Sequence, residues 1–293
     1  MNFRTYEQDD FSLVEAFIKE CGIKEFPLFF LKQGTAILVE ENGLIGLGMQ
    51  WRNALHPRTL VVDILVTPAR RRQGIGTQIY RRLRETFPSR SDDFALDIRG
   101  RSVEGFALSL GFKHYLSCFH NIFDIDLFKH VEAPYKIQRL EDFYSESREV
   151  RRQKIRAFHC SIYDRDHEPY LPVTKNKEVR YDYFNEGNPE YGAVILKGEE
   201  IIGCSLAYLN FEEEVESKVS DVTGLHGYAI GENLGEEALL IQALYSFQMN
   251  LLKTSGLRHV YIEFDSIEAT SELMLNWLPY HQPPLLRFQK VPG

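Results

Sequence analysis

The chain has 293 residues, of which 44% are hydrophobic and 26% charged, a composition that excludes fibrous and disordered proteins and predicts about two globular domains. Residues 1–133 carry 17 of the 34 Lys+Arg and 17 of the 42 Asp+Glu, so the net charge of −8 falls entirely in the remaining residues. An acidic C-terminal half would repel phosphates, which argues against a nucleic-acid partner. We also expect no membrane contact and a cytoplasmic location, because there is neither a bilayer-length apolar run nor a signal peptide.

The first half alternates predicted strands and helices. A hairpin is predicted at Glu41-Asn42-Gly43, since Asn-Gly is a strong turn signal, and Asp10 is the predicted N-cap of the opening helix. The run Leu60–Val66 is apolar except for Asp63 and is typical of a central strand buried on both faces. In chain order, strands are predicted over residues 35–40, 44–51, 60–66, 94–98 and 113–127, and helices over residues 10–22, up to 87 and 103–110.

The second half repeats this order, which predicts a weak internal duplication with a linker around residues 130–134. We therefore expect two domains, residues 1–129 and 134–293. Strands are predicted over residues 135–140, 191–196, 201–209, 219–230, 259–264 and 285–291, and helices over residues 146–162, 236–252 and 270–278.

A basic loop follows the central strand of the first half, with the sequence Arg71-Arg72-Gln73-Gly74-Ile75-Gly76. Two glycines at this spacing let backbone N–H groups converge at the start of a helix, where the helix dipole favours a phosphate or pyrophosphate. Arg71 and Arg72 add positive charge, and Thr77 adds a hydroxyl donor. Two nucleotide patterns fit poorly, because position 79 is isoleucine rather than the third Rossmann glycine and no Walker lysine follows Gly76. A site that binds ATP or NAD through this loop nevertheless remains an alternative.

The pattern Arg-x-x-Gly-x-Gly after Val66-Thr67-Pro68 resembles the acyl-CoA-binding loop of the GNAT N-acetyltransferase superfamily. The similarity continues through Leu110-Gly111-Phe112 and covers residues 1 to about 127 in the family's element order. It implies an α/β chain of two GNAT-like domains, each a mixed, mainly antiparallel twisted sheet flanked by helices. By resemblance, the residues that bind acetyl-CoA are Ile64, Leu65 and Val66 along the pantetheine arm, and Arg71, Arg72, Gln73, Gly74, Ile75, Gly76 and Thr77 around the pyrophosphate.

The resemblance also implies a reaction, acyl transfer from acetyl-CoA or another short acyl-CoA to a primary amine by direct attack in a ternary complex. The acceptor would be a small molecule or peptide, and no metal is expected. Asp63 occupies a position where an aspartate recurs in this family, and it is the candidate catalytic base; its alternative role is to accept hydrogen bonds from nearby donors. Ala107 stands where the family's usual acid, a tyrosine, is found. The alternative function is therefore an inactive acyl-CoA-binding or regulatory module.

Other polar side chains near this region have simpler interpretations. Tyr115, Cys118 and Ser109 are interpreted as packing or capping residues, and His56 as a solvated histidine in a turn. The four cysteines lack zinc or disulfide spacing, so we expect small buried thiols. The segment with His159 and His167 fits no zinc pattern and is interpreted as a polar stretch.

The second half lacks the loop. Aligning Gly235 with Gly76 places Ile230 opposite Arg71 and Asn233 opposite Gly74. A carboxylate at Glu232 would repel a phosphate, so we expect a degenerate domain without a CoA site. Its expected role is to pack on the first domain or shape the acceptor cleft, which we place between residues 23–31 and the domain interface. The sequence leaves the acceptor and the oligomeric state open.

Overall fold

A computed structural model describes residues 1–22, 28, 31, 34–86, 95–100, 103–185, 187–211, 219–278 and 284–290. The chain divides into two compact units: unit 1 is Met1–Tyr115 with Leu285–Gly293, and unit 2 is Leu116–Pro284. The linker predicted around residues 130–134 lies inside unit 2. The predicted domains, residues 1–129 and 134–293, describe the internal repeat of the sequence and stay a prediction. No helix in the described ranges combines the length and the apolar character needed to cross a membrane.

Unit 1 is a mixed sheet with the strand order β1-β2-β3-β4-β5-β12. Among the strands described in this unit, β4 and β5 run parallel and the other neighbours are antiparallel. The final strand of the chain therefore completes the sheet of the first unit. The elements are β1 (Asn2–Thr5), α1 (Phe11–Glu20), β2 (Thr35–Glu40), β3 (Leu44–Arg52), β4 (Thr59–Val66), α2 (Ile75–Glu85), β5 (Ala95–Gly100), α3 (Glu104–Ser109) and β12 (Leu285–Lys290).

The start of α1 differs in detail from the prediction. Asp10 precedes the helix, but its side chain does not cap it. Instead, both Asp10 carboxylate oxygens accept hydrogen bonds from Arg4, at 2.6 and 2.7 Å, and one also accepts from the Glu7 N–H at 2.8 Å. A charged, bidentate guanidinium donor is a stronger partner than a helix N–H, so it holds the carboxylate away from the cap position.

The core of unit 1 lies on both faces of β4, as its continuous apolar sequence predicts. Alternate side chains enter two clusters, one under α2 and one under α1. Ile75, Ile79 and Leu83 of α2 are at most 2% exposed, whereas the arginines of the same helix lie on its solvent face. The four-residue spacing that predicts this face is confirmed over the described part of the helix; Phe87 lies outside the described residues.

Helix α2 contacts β3 directly over Gly48. A Cβ atom at this position would lie 2.0 Å from Cγ2 of Ile79 and 3.1 Å from Leu83. We expect Gly48→Ala to lower the free energy of unfolding by about 2 kcal/mol, because the helix must move or adopt strained rotamers. Urea unfolding followed by circular dichroism measures this change. The control is Gly105→Ala in α3, where a Cβ meets nothing within 4 Å, so that a slight stabilisation is expected. Equal stability of the two variants would contradict close helix–strand packing.

Unit 2 has its own mixed sheet, with the strand order β6-β11-β10-β9-β8-β7. Among its described strands, β10 and β11 run parallel and the other neighbours are antiparallel. The two units therefore share one strand pattern, as two GNAT-like domains should. The elements are β6 (Lys113–Asp124), β7 (Ile137–Arg139), α4 (Leu140–Tyr144), α5 (Arg148–His167), α6 (Lys177–Tyr183), β8 (Ala193–Lys197), β9 (Glu200–Tyr208), β10 (Val222–Ala229), α7 (Leu234–Thr254), β11 (His259–Asp265) and α8 (Ser271–Trp277).

Candidate functional site

The parallel strands of unit 1 separate in the middle of β4. Residues Thr59–Val62 pair with Ala95–Ile98, and this pairing stops there. Beyond Val62, β4 stays paired with β3 on its other side, and β5 stays paired with β12 as far as Gly100. Among the described strands, nothing therefore pairs with the β5-facing edge of residues 64–66. Such an edge presents backbone donors and acceptors that an extended, amide-containing ligand can bind.

Three predicted cofactor residues lie on this open edge. The side chains of Leu65 and Val66 are buried, and the side chain of Ile64 packs on the hydrophobic cluster beneath α2. The Thr67 N–H donates to the Ile45 carbonyl of β3 at 3.0 Å, so by strand alternation the backbone of Leu65 also faces β3. The backbone groups of Ile64 and Val66 therefore face the opening. A backbone edge suits a peptide-like arm such as pantetheine, which needs amide partners rather than specific side chains.

The loop after β4 leads to a helix start with free donors. Gly74 is the N-cap of α2 and has φ +78°, in the left-handed region that glycine adopts without strain. The first hydrogen bond of the helix runs from the Gln78 N–H to the Gly74 carbonyl, at 3.1 Å. Within the described part of the chain, the N–H groups of Ile75, Gly76 and Thr77 make no hydrogen bond. These three donors, at the positive end of the helix dipole, are available to an anion.

Gly76 also needs to be small. A Cβ atom there would lie 3.3 Å from the Phe106 ring of α3. The glycine therefore allows α3 to approach the first turn of α2, in addition to leaving the N–H groups accessible.

The basic residues of the loop divide into anchors and exposed charges. Arg70 forms an ion pair with Glu41 and donates to Gln73 Oε1 at 3.1 Å, which ties the loop to the β2–β3 hairpin. Arg71 Nε donates to the carbonyl oxygen of Val66 at 3.0 Å, which fixes the end of β4. Arg72 is exposed and has φ +64°, a strained conformation for a residue with a side chain. Sequence reasoning assigned positive charge to the loop but missed the anchoring by Arg70.

Asp63 is the first residue of β4 beyond the paired region. It is 8% exposed, and its Oδ2 accepts a hydrogen bond of 2.9 Å from the indole nitrogen of Trp51. The strand register places Met49 opposite Asp63, so Trp51 is a diagonal neighbour on the same face. No pattern in the sequence indicates this partner of Asp63. The indole N–H fixes the orientation of the carboxylate at the opening.

The family's usual catalytic acid would stand at position 107, and the polar residues that follow this position make contacts of their own. Ala107 is fully buried in α3, and Ser109 Oγ donates to the Phe106 carbonyl at 2.7 Å as a helix-end contact. The Arg287 guanidinium lies 5.8 Å from the centre of the Tyr115 ring. Cys118 belongs to unit 2, where burial and the nearby Glu263 and Asp265 raise the pKa of its thiol well above the ordinary value.

The interpretation of His56 as a solvated histidine is wrong. His56 is 3% exposed, although it lies in the turn between β3 and β4. The Asn53 side chain accepts hydrogen bonds from the N–H groups of Leu55 and His56, at 2.9 and 3.3 Å, and this Asx turn folds the loop inward.

The interpretation of His159 and His167 as part of a polar stretch is also wrong. Both lie in α5, which extends to His167 rather than ending at Ile162, and they are 0% and 3% exposed. Three of the four cysteines, Cys118, Cys160 and Cys204, are buried as expected, and Cys21 is partly exposed.

In unit 2 the helix start is capped by a side chain and carries acidic residues. Asn233 is the N-cap of α7, and its side chain accepts from the Glu236 N–H at 3.1 Å. The Glu236 carboxylate accepts from the Glu232 N–H at 2.6 Å, and the Glu237 carboxylate accepts from the Gly231 N–H at 3.4 Å. The Asn233 side chain thus takes one donor of the helix start, and the Glu236 and Glu237 carboxylates bring negative charge to the first turn, where a phosphate would bind.

The connection before this helix is also shorter. Residues 230–232 join β10 to the Asn233 cap, whereas residues 67–73 join β4 to Gly74. The predicted alignment therefore holds for Asn233 with Gly74 but not for Ile230 with Arg71, since the segment that carries Arg71 is absent here. In addition, the Gly227 N–H in β10 donates to the Tyr245 hydroxyl at 3.1 Å, so a side chain of unit 2 itself takes this backbone donor.

Comparisons with known proteins agree with this geometry. Residues 3–99 match the model of the Acetyltransferase (GNAT) family. No curated protein sequence matches the chain. Among solved structures, a GCN5-related N-acetyltransferase from Sphaerobacter thermophilus matches 99% of this chain and 95% of its own, with a TM-score of 0.65 and 15% identity.

Two further structures match over their whole length. A tandem GNAT protein from the clavulanic acid biosynthesis pathway covers 100% of this chain and 98% of its own, with a TM-score of 0.58 and 16% identity. A GNAT-family acetyltransferase from Colwellia psychrerythraea covers 99% of each chain, with a TM-score of 0.54 and 10% identity. At these identities the similarity shows the fold. Residues 3–99 therefore match the GNAT family, and over its full length the chain has the fold of tandem GNAT proteins, in agreement with the resemblance of its loop sequence.

Proposed function

We propose that unit 1 binds acetyl-CoA, or another short acyl-CoA, and transfers the acyl group to a primary amine of a small molecule or peptide. The observation that carries this proposal is the row of unbonded N–H groups of Ile75, Gly76 and Thr77, directly after a strand whose outer edge is open. A pyrophosphate at the helix start and an amide-containing arm along residues 64–66 would use both features at once.

The chemistry is a direct acyl transfer. The amine nitrogen attacks the thioester carbonyl carbon, a C–N bond forms, and the C–S bond breaks to release the CoA thiolate. Before attack the ammonium group must lose a proton, and Asp63 is the proposed acceptor because its carboxylate lies where β4 and β5 part. A backbone N–H on the open edge of β4 would stabilise negative charge on the carbonyl oxygen. Water would protonate the thiolate, since Ala107 supplies no acid.

The second candidate is an acyl-CoA-binding module without catalysis, and Ala107 is the observation that favours it. This residue is fully buried in α3 and has no group that could donate a proton. A module of this kind would use the same loop and the same strand edge, so binding experiments alone do not separate the two functions.

An acceptor-dependent assay separates them. Acetyl-CoA is incubated with the protein and a mixture of primary amines, and free thiol is measured with a colorimetric reagent. The enzyme hypothesis predicts thiol release that depends on both the protein and an amine. Binding of acetyl-CoA without thiol release from any amine, across a broad panel, would favour the module. Displacement of bound CoA by ATP or NAD at comparable concentration would instead favour the nucleotide alternative.

A further inference from the structure

A gap opens between the two parallel strands of unit 2. β10 and β11 pair only over residues 222–225 and 259–262. Beyond this point β10 remains paired with β9 as far as Ala229, and β11 remains paired with β6 as far as Asp265. The strands therefore diverge, with residues 226–229 on one wall and 263–265 on the other. Sequence reasoning did not predict this gap.

One wall of the gap carries acidic groups. Glu263 and Asp265 project from the same face of β11, and an oxygen of each lies within 4.8 Å of the other and of Cys118 Sγ. Oδ1 of Asp265 is buried and has no hydrogen-bond partner among the described residues, while Oδ2 lies 3.5 Å from His167 Nε2. Burial beside Asp265 and Asp166 raises the pKa of Glu268 well above the ordinary value.

Positive charge is scarce at this wall. In the described ranges no lysine or arginine forms an ion pair with Glu263, Asp265 or Glu268. The nearest arginine of α5, Arg165, is already paired with Asp166 and Glu237, at 2.7 and 2.9 Å. His226 is neutral at pH 7, because burial and the neighbouring His167 lower its pKa to about 4. Glu263 accepts a hydrogen bond from the Tyr261 hydroxyl at 2.6 Å, and Asp265 lies beside His167, so among the described residues neither carboxylate is paired with a lysine or arginine.

The remaining lining is aromatic. Tyr163 stacks on His167 at 3.8 Å between ring centres, and Tyr183 lies 5.8 Å from Tyr163. Tyr183 is 52% exposed, and burial of its hydroxyl, together with the neighbouring Glu263 and Asp265, raises the pKa of that group. An accessible tyrosine beside carboxylates can bind a cation through its ring face and its hydroxyl oxygen.

A second observation independently indicates a ligand. His159 is 0% exposed, yet neither of its ring nitrogens has a hydrogen-bond partner in the described structure. Its ring contacts Tyr228 and His226 of the β10 wall, with centres 5.4 and 5.9 Å apart. A buried imidazole without partners is costly, and a polar ligand or its water in the gap would satisfy it.

We propose that this gap in unit 2 binds an organic primary ammonium ion. Its charged group would lie between Asp265 and Glu263, with Tyr183 over its carbon chain. A metal ion could instead be bound by Cys118, Glu263 and Asp265. The aromatic side chains that line the gap would then have no role in binding. The site depends on unit 2 alone, so it does not rest on acyl transfer by unit 1.

Isothermal titration calorimetry with 1,4-diaminobutane tests the site in the full-length protein without acyl-CoA. We expect saturable binding, with 1-butanol and butyrate giving none. Asp265→Asn should weaken binding about tenfold to a hundredfold, because it removes one charged partner of the ammonium group. Tyr183→Ala, at an exposed position that the fold tolerates, should weaken it several-fold.

Two controls make the outcome decisive. Glu272→Gln removes the same charge from an exposed position on α8 and should leave the affinity unchanged. Gly74→Val, in the loop of unit 1, should also leave it unchanged, so that failure of this site and failure of the proposed function are distinguishable. Absence of saturable binding, equal weakening by Glu272→Gln, or binding of Zn²⁺ alone in a Cys118-dependent manner without amine binding would overturn the proposal.

Discussion

Replacing Asp63 with asparagine is expected to lower kcat for amine acylation about a hundredfold while leaving the Kd of acetyl-CoA unchanged. The amide is nearly isosteric with the carboxylate, and its oxygen can still accept the indole N–H of Trp51 that Asp63 accepts at 2.9 Å. The substitution therefore removes the base and keeps the packing. Steady-state thiol release, together with calorimetric binding of acetyl-CoA, measures the two quantities separately.

Two further measurements identify the role of Asp63. The pH profile of kcat/KM should lose its acidic limb in the Asp63→Asn variant, because that limb reports the base of the free enzyme. Trp51→Phe removes the donor but keeps the carboxylate, so its kcat should fall far less. If Asp63→Asn retains full kcat, Asp63 is only the hydrogen-bond acceptor of Trp51, and the proton must go to water or another group.

Replacing Gly74 with valine is expected to weaken acetyl-CoA binding about a hundredfold. Gly74 has φ +78°, which a β-branched residue adopts only with strain, so the loop will shift to relieve it. The N–H groups of Ile75 and Gly76 then no longer converge on one anion, and two charge-assisted hydrogen bonds are lost. Calorimetric titration with acetyl-CoA gives the change in Kd directly.

A matched control separates strain from binding. Gly256 has φ +82° after α7 in unit 2, and a Cβ atom there, as at Gly74, would meet nothing within 4 Å. Gly256→Val should therefore cost a similar amount of stability, seen as a similar fall in Tm, and leave acetyl-CoA binding intact. Equal loss of binding in both variants would mean that Gly74 supports folding rather than the anion site.

The sequence predicts the parts of the site that depend on local patterning. The Asn42-Gly43 turn forms with φ +57° and +131°, and the apolar run ending at Val66 forms the buried strand before the loop. Strand β1, Asn2–Thr5, carries no alternating pattern and was not predicted, because it is defined by pairing with β2.

Features that depend on distant pairing are not visible in the sequence. The separation of β4 from β5 after Val62 has no local signal, and neither does the bond from Trp51 to Asp63, which follows from strand register. His56 and His159 lie in polar segments, yet tertiary packing buries both. Composition predicts exposure for such segments, and only the fold shows which members turn inward.

Calorimetric titration of the full-length protein with acetyl-CoA tests the central claim, that this chain has one working acyl-CoA site and that it lies in unit 1. We predict a stoichiometry of one per chain, with binding lost or much weakened in an Arg71→Ala, Gly74→Ala double variant. A stoichiometry of two would contradict the inference, from the Asn233 cap and the acidic first turn of α7, that unit 2 has no CoA site. Absence of binding, or binding that the double variant retains, would contradict the assignment of the loop.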